Sequence, residues 1–193
     1  MKKLLLDYNL KVRVPIVIFV ALSVFAITYY ASFAERNGIG YTPEQPINFP
    51  HDIHAGDMQI DCQYCHSSVD KSPFANIPSV ESCMNCHSLA RTDSPEIQKL
   101  TQYYQEGKPI PWKRIHRVPE FVYFNHSSHV NKGIDCANCH GDVKKMKTVG
   151  QVNSFTMAAC LDCHRNPDKK IMEFEQIKAD LKRGPEECSA CHR

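Results

Sequence analysis

Ten cysteines constrain this chain more than any other feature, because all of them fall into five copies of the pattern Cys-x-x-Cys-His. The copies are Cys62/Cys65/His66, Cys83/Cys86/His87, Cys136/Cys139/His140, Cys160/Cys163/His164 and Cys188/Cys191/His192. Two thiols at this spacing can form thioethers to the two vinyl groups of one haem, and the adjacent histidine then reaches the iron. The sequence therefore predicts five covalently bound haems of the c type.

Three other uses of paired cysteines fit this pattern less well. A tetrahedral zinc site pairs two Cys-x-x-Cys units and does not need a histidine after every second cysteine. Redox dithiols come singly and near a βαβ pattern, and a disulfide framework does not keep every cysteine at one spacing. The repeated histidine therefore favours haem attachment over all three.

Five histidines remain outside the motifs, which equals the number of irons that need a second axial ligand. They are His51, His54, His116, His126 and His129. Four of them stand in two copies of Phe-x-His-x-x-His, which begin at Phe49 and Phe124. Because positions i and i+3 of a helical turn are neighbours on one face, each turn can offer its two imidazoles to two different haems. We expect all five as metal ligands, with the thioether of Met146 or Met157 as the alternative to His116.

The stretch of residues 14–34 contains no charged side chain. As a helix it would be about 30 Å long, enough to cross the hydrocarbon core of a bilayer. The tail before it carries four basic residues and one acid, namely Lys2, Lys3, Lys11, Arg13 and Asp7. This bias predicts a cytoplasmic tail over 1–13, a retained anchor over 14–34 and a periplasmic remainder, at a bacterial inner membrane. A cleaved signal peptide is the alternative, but the apolar run is longer than a signal core.

Residues 35–193 are predicted to form one pentahaem domain. The motif spacing divides it into a two-haem part (35–92), a helical spacer (93–122) and a three-haem part (123–193). About 160 residues around five haems leave little room for an apolar core, so the macrocycles serve as the core. The predicted fold is a multihaem cytochrome c of short helices and loops with little or no sheet, plus one transmembrane helix. A net charge of +2 gives no support for nucleic-acid binding.

Two longer helices are predicted in this domain. One begins after the N-cap Ser94 with Pro95 at its first position, buries a face with Ile97, Leu100 and Tyr104, and ends at Gly107. The other runs over residues 168–184, with apolar side chains in helical register. Both apolar faces are interpreted as packing surfaces.

The stretches from Phe49 to His66 and from Phe124 to His140 resemble the class III multihaem cytochromes, of the c3 and c7 type. In that family the first histidine of the pair ligates the haem of the next motif, and the second serves another haem. The resemblance therefore implies that His51 is the partner of His66 and that His126 is the partner of His140. The haems that His54, His129 and His116 would ligate stay open.

A second resemblance rests on residues 112–146, "WKRIHRVPEFVYFNHSSHVNKGIDCANCHGDVKKM", and on "SFTMAACLDCHRNP" after them. With five haem motifs and one anchor, the chain is similar to the pentahaem subunit of alternative complex III. The resemblance implies partners: an iron–sulfur subunit of the molybdopterin-family type and polytopic quinol-binding membrane subunits. It also implies a monohaem cytochrome c or a terminal oxidase as the electron acceptor.

These features together predict an electron-transfer subunit of a quinol-oxidising respiratory complex, with no catalytic residue of its own. One alternative is a membrane-anchored quinol dehydrogenase of the tetrahaem type that feeds a periplasmic reductase, which would need an open or weakly ligated first haem. A haem reductase is a further alternative, but the chain has no Cys-x-x-Cys-Lys variant.

Overall fold

Short helices and long irregular connections make up the computed structural model, which describes residues 7–31, 38–167 and 183–192. The α-helices are α1 (Val14–Ala31), α2 (Cys62–Cys65), α3 (Val80–His87), α4 (Pro95–Gln105), α5 (His126–Val130), α6 (Ala137–His140), α7 (Met157–Arg165) and α8 (Cys188–Cys191). Wider π-type turns cover Asn9–Arg13 and Asp52–Asp57, and a 3-10 turn covers Val143–Lys145. Pairing of the strand type in these ranges is limited to one antiparallel bridge between Val122 and His192. The predicted fold class, helices and loops with little or no sheet, is confirmed.

Helix α1 and the π-type turn before it form one apolar helix over Asn9–Ala31, with a mean hydropathy of 2.2 and none of its length buried. At 1.5 Å per residue its 23 residues span about 35 Å, more than the hydrocarbon thickness of about 30 Å. Within the described ranges it is the one helix long and apolar enough to cross a membrane. The last three residues of the predicted anchor, 32–34, lie outside the described part.

Helix α4 confirms the helix predicted after Ser94. Ser94 has the extended backbone of an N-cap, Pro95 is the first helical residue, and Gly107 follows the helix with a φ of +61°. The side chain of Ser94 makes no capping hydrogen bond, so the proline and the backbone conformation define this start. The helix predicted over 168–184 falls almost entirely outside the described residues.

The buried face of α4 differs from the prediction at one position. Leu100 is 4% exposed and packs with Ile97, but Tyr104 is 46% exposed and Tyr103 takes its place against the core. Tyr104 lies one turn beyond Leu100, close to the end of α4 at Gln105. Its ring therefore extends past the last packed turn into solvent, and the prediction for Tyr104 was wrong.

The apolar core within the described residues is small. Its cluster of buried side chains comes from the loop before α2, from α3, from α4 and from the loop after α4: Ile47, Val80, Leu100 and Ile110. Twelve large apolar side chains in residues 38–192 are instead exposed, namely Ile39, Ile53, Met58, Tyr64, Phe74, Ile77, Leu89, Tyr104, Phe121, Tyr123, Val152 and Met157. A soluble domain that exposes so much apolar surface needs another apolar body to cover it.

The chain that follows the anchor is fixed to a distant loop. The amide of Gly40 donates to the carbonyl of Gln151 at 2.7 Å, and the amide of Gln151 donates to the carbonyl of Tyr41 at 3.3 Å. Gln151 is 2% exposed, and its side chain lies where a Cβ on Gly38 would be. Gly150 allows a similarly close approach of Thr42. We call this contact of residues 38–42 with 150–151 the linker clamp.

Two glycines of the linker clamp give a matched test of its packing. Gly38 and Gly40 have φ values of +76° and +77°, so alanine at either position costs about 1–2 kcal/mol of backbone strain. At Gly38 the new methyl would also collide with the Gln151 side chain, whereas at Gly40 nothing lies within 4 Å. That overpacking destabilises the linker clamp by a further ~1–3 kcal/mol in Gly38→Ala but not in Gly40→Ala.

We expect the amide of residue 40 to exchange with deuterium at least about fivefold faster in Gly38→Ala than in Gly40→Ala. A difference of about 1 kcal/mol in the free energy of local opening changes the exchange rate by that ratio. Hydrogen–deuterium exchange of the purified chain followed by mass spectrometry measures it. Equal exchange in the two variants would show that Gln151 does not hold the linker.

Candidate haem-attachment sites

Each of the five motifs places its cysteines on a short helix. We number them as sites 1 to 5 in chain order: site 1 is Cys62/Cys65/His66 on α2, site 2 is Cys83/Cys86/His87 on α3, site 3 is Cys136/Cys139/His140 at α6, site 4 is Cys160/Cys163/His164 on α7, and site 5 is Cys188/Cys191/His192 at α8. One helical turn brings residues i and i+3 to the same face, so both thiols of a site point to the same side. All ten cysteines lie in the described residues, and none of them forms a disulfide.

An aspartate starts the turn at sites 1 and 3. The Asp61 carboxylate accepts a hydrogen bond of 2.7 Å from the amide of Gln63, and the Asp135 carboxylate accepts one of 2.7 Å from the amide of Ala137. Such capping is worth about 1 kcal/mol. Sequence reasoning overlooked this feature, although the repeated Ile-Asp-Cys signals it.

Four of the five motif histidines have a ring oriented by a backbone carbonyl. Nδ1 of His66 donates to the carbonyl of Asn76 at 2.6 Å, and Nδ1 of His164 donates to that of Pro185 at 2.6 Å. His87 and His192 make the same bond to Ala90 and Phe121, at 3.0 and 3.3 Å. A histidine whose Nδ1 is engaged in this way presents Nε2 to a metal, which is the usual arrangement in metalloproteins.

The two Phe-x-His-x-x-His segments have the same local geometry. Phe49 stacks on His54 with ring centres 4.3 Å apart and meets His51 edge-on at 4.8 Å. In the second segment Phe124 stacks on His129 at 4.5 Å and meets His126 edge-on at 4.8 Å. The phenylalanine thus holds both imidazoles of its segment, a role that sequence reasoning missed.

Backbone hydrogen bonds complete each segment. Nδ1 of His54 donates to the carbonyl of Pro50 at 2.9 Å, and Nδ1 of His129 donates to that of Asn125 at 2.8 Å, in both cases four residues back. The second segment lies on α5, as predicted, whereas the first lies on the wider π-type turn over Asp52–Asp57. The single helical turn expected for each pair is therefore α-helical in one copy only.

Three of these imidazoles face a motif histidine across a constant distance. The ring centres are 6.1 Å apart for His54 and His87, 6.4 Å for His126 and His140, and 6.2 Å for His129 and His164. Two imidazoles that bind one metal from opposite sides through bonds of about 2 Å have ring centres about 6 Å apart. The three pairs therefore fit axial ligation of an iron at sites 2, 3 and 4.

His51 lies beside site 1. Burial lowers its pKa to about 4, and the nearby His66 is the next cause, ahead of His54. Its Nδ1 is buried without a hydrogen-bond partner. The buried neutral ring near His66 is compatible with the partner that the class III resemblance implied, and this pairing stays a prediction.

His116 is placed beside site 3. Its ring meets that of His140 edge-on, with centres 4.4 Å apart, and lies 5.9 Å from Phe155. Burial lowers its pKa, a hydrogen bond with the backbone of Gly150 opposes this, and Nε2 is buried without a partner. At 4.4 Å the two rings are too close to bind one iron from opposite sides. The ligand role predicted for His116 stays a prediction.

Neighbouring thiols connect sites 1, 2 and 3. Burial raises the pKa of Cys65, and Cys62 and then Cys86 raise it further. Burial also raises the pKa of Cys136 to about 11, with Cys62 as the next cause and as a hydrogen-bond partner. Site 1 therefore lies between site 2 and site 3.

The same type of contact connects sites 3, 4 and 5. The pKa of Cys139 is raised first by burial and then by Cys163 and Cys160 of site 4. The pKa of Cys160 is raised first by burial and then by Cys191 of site 5. The spatial order of the sites is therefore 2–1–3–4–5, and it differs from the chain order.

The residues present fit haem as the attached group. Burial lowers the pKa of His140 to about 4, with His116 as the next cause, so its imidazole is neutral, the form that binds metals. The exposed apolar side chains of residues 38–192 supply the surface that flat apolar macrocycles would cover. Within the described residues, no group of three or more histidine, cysteine or acidic side chains is placed to hold a metal ion.

Two comparisons identify the relatives of this chain. A family model described as "Outer membrane cytochrome MtrC/MtrF-like, domains II/IV" matches residues 58–193. The menaquinone reductase multihaem cytochrome c subunit of Nitratidesulfovibrio vulgaris is 37% identical over 98 residues, which are 50% of this chain and 46% of that protein. The chain thus spans about half the length of this curated relative. Because the family match contains all five motifs, the chain belongs to the MtrC/MtrF-like family of multihaem c-type cytochromes, which carry covalently bound haem c.

Proposed function

We propose that this chain is the five-haem electron-transfer subunit of a membrane complex that oxidises quinol. The observation that carries the proposal is the set of imidazole pairs at sites 2, 3 and 4, whose ring centres lie 6.1, 6.4 and 6.2 Å apart, within a continuous order of sites 2–1–3–4–5. Haem bound at each site supplies a centre that accepts and releases one electron. Stepwise electron transfer along the chain requires such adjacent sites.

Each group of site residues would bind a different part of the haem. The ten cysteines would form the thioethers, and each of the five motif histidines would bind one haem iron. His51, His54, His126 and His129 would supply the second histidine ligand at sites 1, 2, 3 and 4. Because His51 and His54 share one turn, and His126 and His129 share another, each turn fixes the distance between two neighbouring sites.

The chain's partners and place follow from resemblance and from charge. Similarity to the pentahaem subunit of alternative complex III supports three kinds of partner: an iron–sulfur subunit of the molybdopterin-family type, polytopic quinol-binding subunits, and a monohaem cytochrome c or terminal oxidase as acceptor. The relative is itself named as a subunit of a menaquinone reductase. The basic tail before α1 supports an anchor in a bacterial inner membrane with the sites on the periplasmic side.

Intact mass spectrometry tests both the haem count and the anchor. We expect the denatured protein, matured in a host that attaches haem c, to have the mass of all 193 residues plus five haems. A mass with four haems or fewer would contradict the count. A mass short of the first 34 residues would show that the apolar segment is a cleaved signal.

Substitution of His54 tests the assignment of the pairs. His54→Ala should leave one iron, that of site 2, without a strong axial ligand and convert it to the high-spin state. His54→Met should keep it low-spin and raise its midpoint potential, because a thioether ligand favours the reduced iron relative to imidazole. Electron paramagnetic resonance and redox titration measure both effects.

The exposed neighbour of His54 provides the control for this experiment. Ile53 is 44% exposed and lies in the same π-type turn, so Ile53→Ala should leave all spin states unchanged. An unchanged spectrum for His54→Ala would remove His54 from site 2.

The isolated chain should not oxidise quinol. Its one described candidate span is a single helix with no buried residue, so it encloses no pocket for a quinone ring. Its apolar run holds no ionisable side chain before Tyr29 that could accept quinol protons. Reconstituted in lipid vesicles, the chain should be reduced by dithionite within seconds but by menaquinol at least a hundredfold more slowly than in the intact complex.

The same experiment distinguishes the alternative function. A membrane-anchored quinol dehydrogenase would be reduced by menaquinol on its own, and a quinone-site inhibitor would block that reduction. Stopped-flow absorbance of the haem bands measures the rate in each case. Fast, inhibitor-sensitive reduction of the isolated chain would therefore replace the proposed function by the alternative.

A further inference from the structure

Sites 1 and 3 are connected by a loop that follows site 1. In the proposed assignment one histidine turn serves sites 1 and 2, and the other serves sites 3 and 4. Neither turn serves sites 1 and 3 together. The loop of residues 68–76, which we call the bridging loop, instead makes hydrogen bonds to an imidazole of each of these two sites.

The bridging loop holds the motif histidine of site 1. The carbonyl of Asn76 accepts a hydrogen bond of 2.6 Å from Nδ1 of His66. Asn76 has a φ of +59°, in the left-handed region that asparagine tolerates better than most residues. Its side-chain amide donates to the hydroxyl of Ser68 at the start of the loop. The backbone conformation that directs this carbonyl at His66 therefore depends on Asn76 itself.

The same loop holds an imidazole of site 3. The carbonyl of Pro73 accepts from Nδ1 of His126 at 2.7 Å and from the amide of His126 at 3.2 Å. The ring of His126 is the one that lies parallel to that of His140 within 3°. Residues three positions apart in a chain are separated by at most about 11 Å. The carbonyls of Pro73 and Asn76 thus present two acceptors, a short distance apart, to imidazoles of two different sites.

Further hydrogen bonds fasten the bridging loop to helix α5. The amide of Ser127 donates to the carbonyl of Ser72 at 3.2 Å, and the side-chain amide of Asn131 donates to the carbonyl of Asp70 at 2.9 Å. Asn131 is the residue that follows α5, so these contacts extend from the first turn of the helix to its end. The loop and α5 therefore form one hydrogen-bonded unit, although 53 to 61 residues of chain separate the partners.

The bridging loop is also braced internally. Val69 is buried and fixes the start of the loop against the domain. The amide of Ser72 donates to the carbonyl of Ser68 at 2.8 Å, and the amide of Phe74 donates to the hydroxyl of Ser72 at 3.1 Å. Ser68 is thus bonded both to Ser72, next to Pro73, and to Asn76. A displacement of one of the two accepting carbonyls therefore moves the other.

We infer that the bridging loop is a shared positioning element, which holds an imidazole of site 1 and an imidazole of site 3 in a fixed relation. Asn76 and Asn131 are its positioning residues, and they act through His66 and His126. The inference rests on the proposed function, because it assumes haem at both sites. A hydrogen bond to Nδ1 orients a metal-bound imidazole and raises its basicity, so the loop influences the g-values and potentials of two haems at once.

Substitution of Asn76 tests whether the loop acts on both sites. Asn76→Val places a β-branched side chain at a positive φ and displaces the carbonyl that His66 uses. We expect five attached haems, of which two have shifted g-values and midpoint potentials and three keep the wild-type values. Asn76→Gly, which accepts the same backbone conformation, should shift the same two haems less. Electron paramagnetic resonance and redox titration of the full-length chain measure these shifts.

A second strained turn provides the matched control. Gly107 has a φ of +61°, and a Cβ there would meet nothing within 4 Å, so Gly107→Val imposes the same kind of strain beyond α4. All five haems should keep their wild-type signals in this variant. His51→Ala and His126→Ala identify the signals of sites 1 and 3, because each should convert one haem to the high-spin state. A shift confined to site 1, a shift of all five haems, or an equal shift in Gly107→Val would overturn the inference.

Substitution of Asn131 tests the same unit from the side of α5. Asn131→Asp has the same shape but removes the donor to the carbonyl of Asp70, so it should shift the signals of sites 1 and 3 together. Asn131→Gln keeps an amide donor and should reduce both shifts. A change at site 3 alone would show that α5 is held independently and would overturn the inference.

The haem content separates this inference from the proposed function. The pyridine haemochrome of the wild-type chain measures it, and fewer than five haems would contradict the proposed function. Five haems with wild-type g-values and potentials in both Asn76→Val and Asn131→Asp would overturn the role of the bridging loop and leave the proposed function intact.

Discussion

The structure depends on one repeated unit, a turn whose two imidazoles are held by the same phenylalanine. In each copy the ring of Phe49 or Phe124 stacks on the second histidine and meets the first edge-on. The second histidine is further fixed by a carbonyl four residues back. An imidazole held by both contacts loses little entropy when it binds a metal. If each turn serves two neighbouring sites, as proposed, it sets both the geometry of the ligands and the spacing of the row.

The small apolar core follows from the same arrangement. Within the described residues, one cluster around Leu100 is the main packed centre, and it lies between α3 and α4 next to site 2. Of the remaining helices after α1, α2, α5, α6 and α8 have four or five residues and α7 has nine, and helices this short are not stable alone. Covalently attached macrocycles that cover the exposed apolar side chains would give such segments a stable conformation. On this physical argument, we expect folding to depend on the cofactors, as in metal-dependent small domains.

Sequence reasoning reached the features that depend on local spacing. The five motifs, the apolar anchor segment and the helix after Ser94 follow from patterns a few residues long, and the fold class follows from the ratio of haems to residues. The spatial order of the sites could not be predicted from local patterns, because the contact of Cys62 with Cys136 joins residues 74 positions apart. The place of His116 beside His140 depends on the linker clamp, which pairs residue 40 with residue 151. Tyr104 was assigned to the core because helical periodicity does not show where the packing partner ends.

The linker clamp fixes the chain that follows α1 beside the middle of the row of sites. Ala31 ends α1, and seven peptide units lead from it to Gly38, so the two residues are at most about 25 Å apart. Gly38 packs on Gln151, and the preceding Gly150 is bonded to His116 beside site 3. The middle of the order 2–1–3–4–5 is thus connected to the end of α1 by a short stretch of chain, while sites 2 and 5 lie at the two ends of the row. An electron that enters at one end of the row would pass the middle sites before it leaves at the other.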